Sequence, residues 1–215
     1  MKKMDKLLYI IKNFDITKRL LNFMFSEYLY DEGWFVSYKK KQSVDLEGNP
    51  IPWWTYSFND FIRDRLNNEM EIFEFGSGSS SIYLAKKVKN ITSVEHDKSW
   101  YELVKSKMPQ NVILIFKKLE YGGKYSKSIL EEDKLFDIVI IDGRDRVNCC
   151  INSVKKLKEN GVIIFDDAHR EKYQEAYKYL IDNGFKRLDF TGVAAGFFFK
   201  KSTALFYKDN NCLGV

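Results

Sequence analysis

An open α/β sheet of seven mostly parallel strands, with an antiparallel last strand and helices on both faces, is the fold this sequence predicts. Three observations predict it. From Glu71 onward, short apolar runs alternate with helical patterns, the signature of βαβ units feeding a parallel sheet. Successive apolar runs end in acidic residues at Glu95, Asp142 and Asp166, which places those acids at the carboxyl edge where open sheets bind ligands. The last two runs are separated only by a loop containing Gly192 and Gly196, too little chain for a crossover helix, so an antiparallel hairpin finishes the sheet.

In chain order the strands are expected at Glu71–Gly76, Ile91–Glu95, Val112–Phe116, Phe136–Asp142, Gly161–Asp166, Phe185–Phe190 and Thr203–Tyr207. Between them, Trp100, Leu103, Val104 and Met108 recur at helical spacing. So do Val147, Cys150, Ile151, Val154 and Leu157, and then Tyr173, Ala176, Tyr177, Leu180 and Ile181. Asn160-Gly161 and Asn183-Gly184 read as helix stops before the next strand. Residues 1–60 differ in character: helical patterns around Leu7–Phe14 and Leu20–Leu29 precede an irregular stretch through Gly48, Pro50 and Pro52. They are expected to form an N-terminal cap on a ligand-binding domain at 61–215.

The bulk numbers exclude several classes. With 215 residues the chain can bury one substantial core, and 45% hydrophobic with 30% charged residues is not the composition of a disordered or collagen-like chain. The net charge of +5 comes from scattered lysines rather than a dense basic block, which argues against a nucleic-acid substrate and for a small-molecule acceptor. Cys149, Cys150 and Cys212 include no CxxC pair, and reduced thiols in a cytoplasm are the simplest reading. The longest apolar runs fall far short of a membrane span, and no apolar signal core follows the basic Met1–Lys6 segment. A homo-oligomer is compatible with all of this.

The strongest local signal is Glu74-Phe75-Gly76-Ser77-Gly78-Ser79-Ser80-Ser81, where a strand ends and a helix begins. Gly76 and Gly78 let the backbone turn tightly and approach a ligand, and the exposed amides of the helix start can hold a carboxylate. A dinucleotide fingerprint needs a third glycine where this chain has Ser81. Glu74, two residues before the first glycine, would repel a phosphate but favour an ammonium or sulfonium ligand. The next strand ends in Glu95-His96-Asp97, so Glu95 is placed to accept the hydroxyls of a nucleoside ribose, with His96 beside it. Asp97 is the better cap for the following helix.

Taken together, EFGSGSSS, SVEHD, FDIVIIDG and GVIIFDD resemble the successive motifs of class I S-adenosylmethionine (SAM)-dependent methyltransferases over residues 71–207. The resemblance implies SAM as cofactor, with Glu74, Gly76, Ser77, Gly78 and Ser79 at its methionine end. It also implies Glu95 and His96 at the nucleoside, and Asp142 and Gly143 near the reacting end. The segments Pro52-Trp53-Trp54-Thr55-Tyr56, Asp142 to Cys149 and Asn211 to Gly214 look like an uncharacterised bacterial methyltransferase group associated with surface-glycan or secondary-metabolite pathways. That likeness suggests O-methylation of a sugar or glycan precursor. An aminopropyl-type transferase and a catalytically silent SAM-binding module are the competing readings.

Deprotonation of an acceptor hydroxyl has two candidate routes. His169 and Asp142 are candidate bases. Alternatively Asp142, Asp166 and Asp167 resemble the metal site of catechol-type O-methyltransferases, where Mg²⁺ or another divalent cation would activate the acceptor. Asp167 and Arg144-Asp145-Arg146 depart from that pattern, which favours the metal-free form. Trp53, Trp54 and Tyr56 are candidate lid or acceptor-stacking residues.

Overall fold

A computed structural model of the chain describes residues 3–215. Met1 and Lys2 of the basic leader lie outside the described residues. The chain opens with five helices, α1 (Lys3–Lys12), α2 (Phe14–Asn22), α3 (Tyr28–Asp31), α4 (Trp34–Lys40) and α5 (Tyr56–Arg63). There follow β1 (Glu71–Phe75), α6 (Ser79–Ala85), β2 (Asn90–Glu95), α7 (Lys98–Lys105), β3 (Val112–Phe116), α8 (Lys124–Lys127) and β4 (Phe136–Ile141). The chain continues through α9 (Arg146–Val154), β5 (Leu157–Phe165), α10 (Gln174–Asp182), β6 (Lys186–Gly192) and β7 (Lys201–Tyr207).

All seven expected strands join one sheet in the order β3-β2-β1-β4-β5-β7-β6. Strands β1 to β5 are parallel to one another, and β7 runs antiparallel between β5 and β6. Because the chain steps outward from β1 to β3 and then returns to place β4 on β1's other side, the switch point lies between β1 and β4. In open α/β sheets the ligand crevice forms beyond the carboxyl ends at that point.

Period-two alternation along strands buried on both faces builds two cores. Phe73, Phe75, Val139 and Ile141 pack on one side with α9 and α10, through Cys149, Cys150, Ala176, Tyr177 and Leu180. Ile72, Ile138 and Ile140 pack on the other with α5 and α6, through Phe58, Ile62, Leu84 and Ala85. Position 60, where the sequence divides cap from sheet domain, falls inside α5.

Two local expectations are corrected. Asn183-Gly184 does end α10, with Gly184 at φ +81°. Asn160-Gly161 instead lies within β5, which begins at Leu157. There the β4–β5 register slips from Phe136↔Leu157 to Ile138↔Val162, so the glycine serves an irregularity in the strand rather than a helix end. On α7, only Val104 faces the core; Trp100 and Leu103 are exposed.

Candidate functional site

At the end of β1 the chain turns through Gly76 (φ +113°) and Gly78 (φ +147°), backbone states that side chains other than glycine rarely adopt. The turn is fixed from beneath. Glu74 alternates onto the α6 side of the sheet, where its fully buried carboxylate accepts hydrogen bonds from Ser80 Oγ, Ser81 Oγ (2.5 Å) and Ser93 Oγ (2.9 Å). Burial pushes the Glu74 carboxyl above its ordinary range even against those donors. It therefore braces the start of α6 from below, and its charge does not face the crevice. From above, Trp100 of α7 covers the loop, its Nε1 donating to Ser77 O at 2.9 Å.

Glu95 closes β2 beside this loop. Its Oε1 accepts from the amides of His96 (2.7 Å) and Asp97 (2.9 Å), and its Oε2 from Ser77 Oγ (2.9 Å). Burial would raise this carboxyl, but His96, the Asp97 amide and the Ser77 hydroxyl outweigh it and hold it below the usual range. It is thus a charged acceptor at neutral pH. Three donors already occupy a carboxylate with about four lone-pair directions, so taking two ribose hydroxyls requires the Ser77 hydroxyl to rotate away. His96 Nδ1 lies 2.9 Å from Glu95 Oε1, without hydrogen-bond geometry, and its ring meets Tyr125 edge-on. Asp97 caps α7, accepting from the Trp100 amide at 3.0 Å.

At the end of β4, Gly143 packs so closely that a Cβ there would collide with the Tyr125 hydroxyl. That hydroxyl is buried and unpartnered. A cavity of about 310 Å³ joins Ser77, Gly78 and Ser79 to Asp142, and is walled by Trp100, Lys41 and Trp53. A glycine cradle, a charged carboxylate at the neighbouring strand end and an adjoining cavity suit a nucleoside carrying an amino-acid tail.

The acids of β4 and β5 are neutralised by the protein itself. Arg146, buried at the start of α9, donates Nη2 to Asp142 O (2.8 Å) and Asp142 Oδ1 (3.3 Å), Nε to Gly143 O (3.0 Å) and Nη1 to Asp166 O. It also pairs with Asp167 Oδ2 at 3.3 Å, a carboxylate shared with Arg170 at 2.8 Å. Lys201 Nζ stands 2.7 Å from Asp166 Oδ2 and 3.6 Å from Asp167 Oδ1, while Thr203 Oγ1 donates to Asp166 Oδ1 at 2.9 Å. Burial, and next the charge of Asp166, raise the Asp142 carboxyl well above its ordinary value. Asp167 is held low because Lys201, Arg146 and Arg170 overcome its burial.

No protein-family profile matches the chain. A curated relative, the ribosomal protein L11 methyltransferase of Prochlorococcus marinus (strain AS9601), is 25% identical over 74% of this chain. The chain spans 65% of that relative's length. Among solved structures, the O-methyltransferase TomG of Streptomyces achromogenes, in complex with SAM, superposes with a TM-score of 0.54 at 17% identity, covering 69% of this chain and 77% of that one. A tRNA methyltransferase of Aquifex aeolicus gives a TM-score of 0.51 at 15% identity, covering 74% and 70% of the two chains. The likeness to these solved structures is one of fold, and in this chain the fold is the seven-stranded sheet with its inserted antiparallel strand. This is the class I SAM-dependent methyltransferase fold.

In this methyltransferase fold, Gly76, Ser77, Gly78, Ser79, Glu95, His96, Asp142 and Gly143 gather along one edge of the sheet, and Glu74 lies beneath them. The metal expectation is corrected: the carboxylates of Asp142, Asp166 and Asp167 are already engaged by Arg146, Lys201 and Arg170. Among the described residues no cluster of three or more His, Cys, Asp or Glu side chains is arranged to hold an ion. The residues therefore do not fit a divalent cation. Of the three aromatic lid candidates only Trp53 reaches the cavity, 38% exposed, stacked on Phe197 and donating to Ala195 O at 2.8 Å. Trp54 and Tyr56 are corrected to core residues, packed beside Phe58 and Tyr28 respectively. His169 is exposed on the loop after β5, and its Nδ1 accepts from the Ser202 amide at 3.3 Å. The serines under Glu74, the Trp100 cover and Lys201 went unnoticed in the sequence. Lys201 left one trace, a lysine at the head of the last apolar run.

Proposed function

We propose that the chain is a SAM-dependent methyltransferase that delivers the methyl group to a small acceptor through an oxygen nucleophile. The observation that carries this reading is the cavity linking the glycine cradle to Asp142, with the charged Glu95 alongside. Bound SAM supplies an electrophilic methyl on a sulfonium. Gly76 to Ser79 hold the amino-acid tail at the start of α6, Glu95 anchors the ribose, and Trp100 closes the loop against water. The reaction is an in-line displacement: the bond from acceptor oxygen to methyl forms as the bond from methyl to sulfur breaks, and the acceptor's proton must go to a base or to water.

Asp142 is the base we favour, because it borders the cavity and its proton affinity is raised by burial and by Asp166. His169 is less suited. When its Nδ1 accepts from the Ser202 amide, a neutral ring carries its proton on Nε2 and has no free lone pair to take another. Arg146 keeps Asp142 oriented toward the cavity.

The relatives above are named for a ribosomal protein, for tomaymycin synthesis and for tRNA, so the fold does not choose among acceptors. A small acceptor is supported by the scattered charge of the chain, which has no dense basic block, and a sugar or glycan precursor by the sequence resemblance. Calorimetry with SAM and S-adenosylhomocysteine, followed by methyl-release assays on hydroxylated small molecules, ribosomal protein and tRNA, tests the reading. Expected are binding of both nucleosides and turnover on a hydroxylated small molecule. Binding without turnover on any acceptor would point instead to a silent module. Glu95→Ala should weaken S-adenosylhomocysteine binding by about 2–4 kcal/mol, the worth of one or two charge-assisted hydrogen bonds.

A further inference from the structure

Helices α1 and α2 carry large apolar side chains that nothing in the fold covers. Ile11 is 62%, Phe14 66%, Ile16 56% and Leu20 65% exposed, and no residue of α2 is buried. The two helices are amphipathic. In α1, Met4, Leu8 and Ile11 recur at i, i+4 and i+7 on one face, with Lys6 opposite and Lys12 at its border. In α2, Ile16 and Leu20 share a face, while Asp15, Lys18, Arg19 and Asn22 line the other. Between Lys3 and Asn22, five basic side chains stand against two acidic ones.

We propose that α1 and α2 form a docking surface for an anionic lipid bilayer, lying in its interface. Charge complementarity selects this occupant: a basic polar face beside an apolar one matches anionic headgroups above acyl chains. Length selects the orientation. Helices of ten and nine residues reach only about 15 Å, half the hydrocarbon thickness, so they lie on a bilayer rather than across it. A second copy of the chain fits less well. Two-fold pairing of this surface would bring like charges together. The inference stands apart from the proposed activity, since none of these residues borders the cavity.

The test is sedimentation of the full chain with vesicles of phosphatidylcholine, with and without phosphatidylglycerol. Expected is binding to the anionic vesicles, little to the neutral ones, and release by salt. Leu8→Glu/Leu20→Glu should abolish binding. Lys12→Glu/Lys18→Glu/Arg19→Glu should lower partitioning on the order of a hundredfold or more. All these positions are exposed, so unchanged S-adenosylhomocysteine binding or an unchanged circular dichroism spectrum verifies folding. Failure to bind anionic vesicles, or equal binding to neutral ones, overturns the proposal. So does a dimer that the Leu8→Glu/Leu20→Glu variant dissociates while vesicle binding is absent.

Discussion

Three serine hydroxyls take the place of water around the Glu74 carboxylate, and its pKa records what that enclosure costs. A carboxyl whose folded pKa lies above its unfolded value gives full stability below the unfolded value and loses some as pH rises toward the folded one. Glu74→Gln should therefore flatten the fall in melting temperature as pH rises above the ordinary carboxyl range. A slope unchanged from wild type would show that Glu74 is not its source. Ser77 offers a separate test at the same loop. Since its hydroxyl occupies a Glu95 oxygen that a ribose hydroxyl would need, Ser77→Ala should bind S-adenosylhomocysteine no more weakly than wild type; a clear loss would mean that the Ser77 hydroxyl, and not its backbone alone, holds the ligand. Residues like these were half legible in the sequence. Glu74 and Glu95 both stood out as strand acids beside a glycine loop, but period-two alternation sends one under α6 and leaves the other at the edge. Trp53, Trp54 and Tyr56 misled for a related reason: an aromatic run in an irregular stretch looks alike whether it packs inward or lines a cavity, and only the tertiary fold decides.

Among the elements, β7 contributes most to the site without touching the glycine loop. Running antiparallel beside β5, it begins where β5 ends, and so sets Lys201 against Asp166 and Asp167. Lys201→Met would leave Asp166 buried with only Thr203 as partner, and should destabilise the fold by about 3 to 5 kcal/mol. Adding Asp166→Asn should recover part of that loss in thermal or denaturant unfolding; no recovery would locate the damage elsewhere. The pH sign here is opposite to that at Glu74. Asp167 titrates below its unfolded value, so its pairing stabilises above that value and is lost as pH falls through the folded one. The central strands were legible because strands buried on both faces read as continuous apolar runs, whereas the largely exposed β6 was marked by the Asn183-Gly184 stop before it. Lys201's partnership was not legible, because it depends on which strand β7 pairs with, and no residue near Lys201 announces that. The Asn160-Gly161 misreading has a similar root: a turn-forming pair ends a helix or interrupts a strand according to a register set by β4.

For the whole molecule, the neutralised acidic edge makes a plain forecast. Chelator should leave the melting temperature, S-adenosylhomocysteine affinity and any methyl transfer unchanged, because Arg146 and Lys201 occupy the space a divalent ion would fill. Loss of turnover in chelator, with recovery on adding Mg²⁺, would defeat this. The cavity, the paired acids and the two exposed N-terminal helices divide the chain into a ligand-holding edge and an apolar appendage.

The position of β7 also governs the order in which the chain can be completed on the ribosome. Strand β5 cannot gain its outer neighbour, and β6 has no partner at all, until Lys201–Tyr207 has been synthesised. A nascent chain stalled before that point exposes the outer edge of β5 and both edges of β6 to other chains and leaves Asp166 without its lysine. Release of the last strand should therefore coincide with the onset of protease resistance, and that single step would seal the sheet and balance the charge of its ligand-binding edge together.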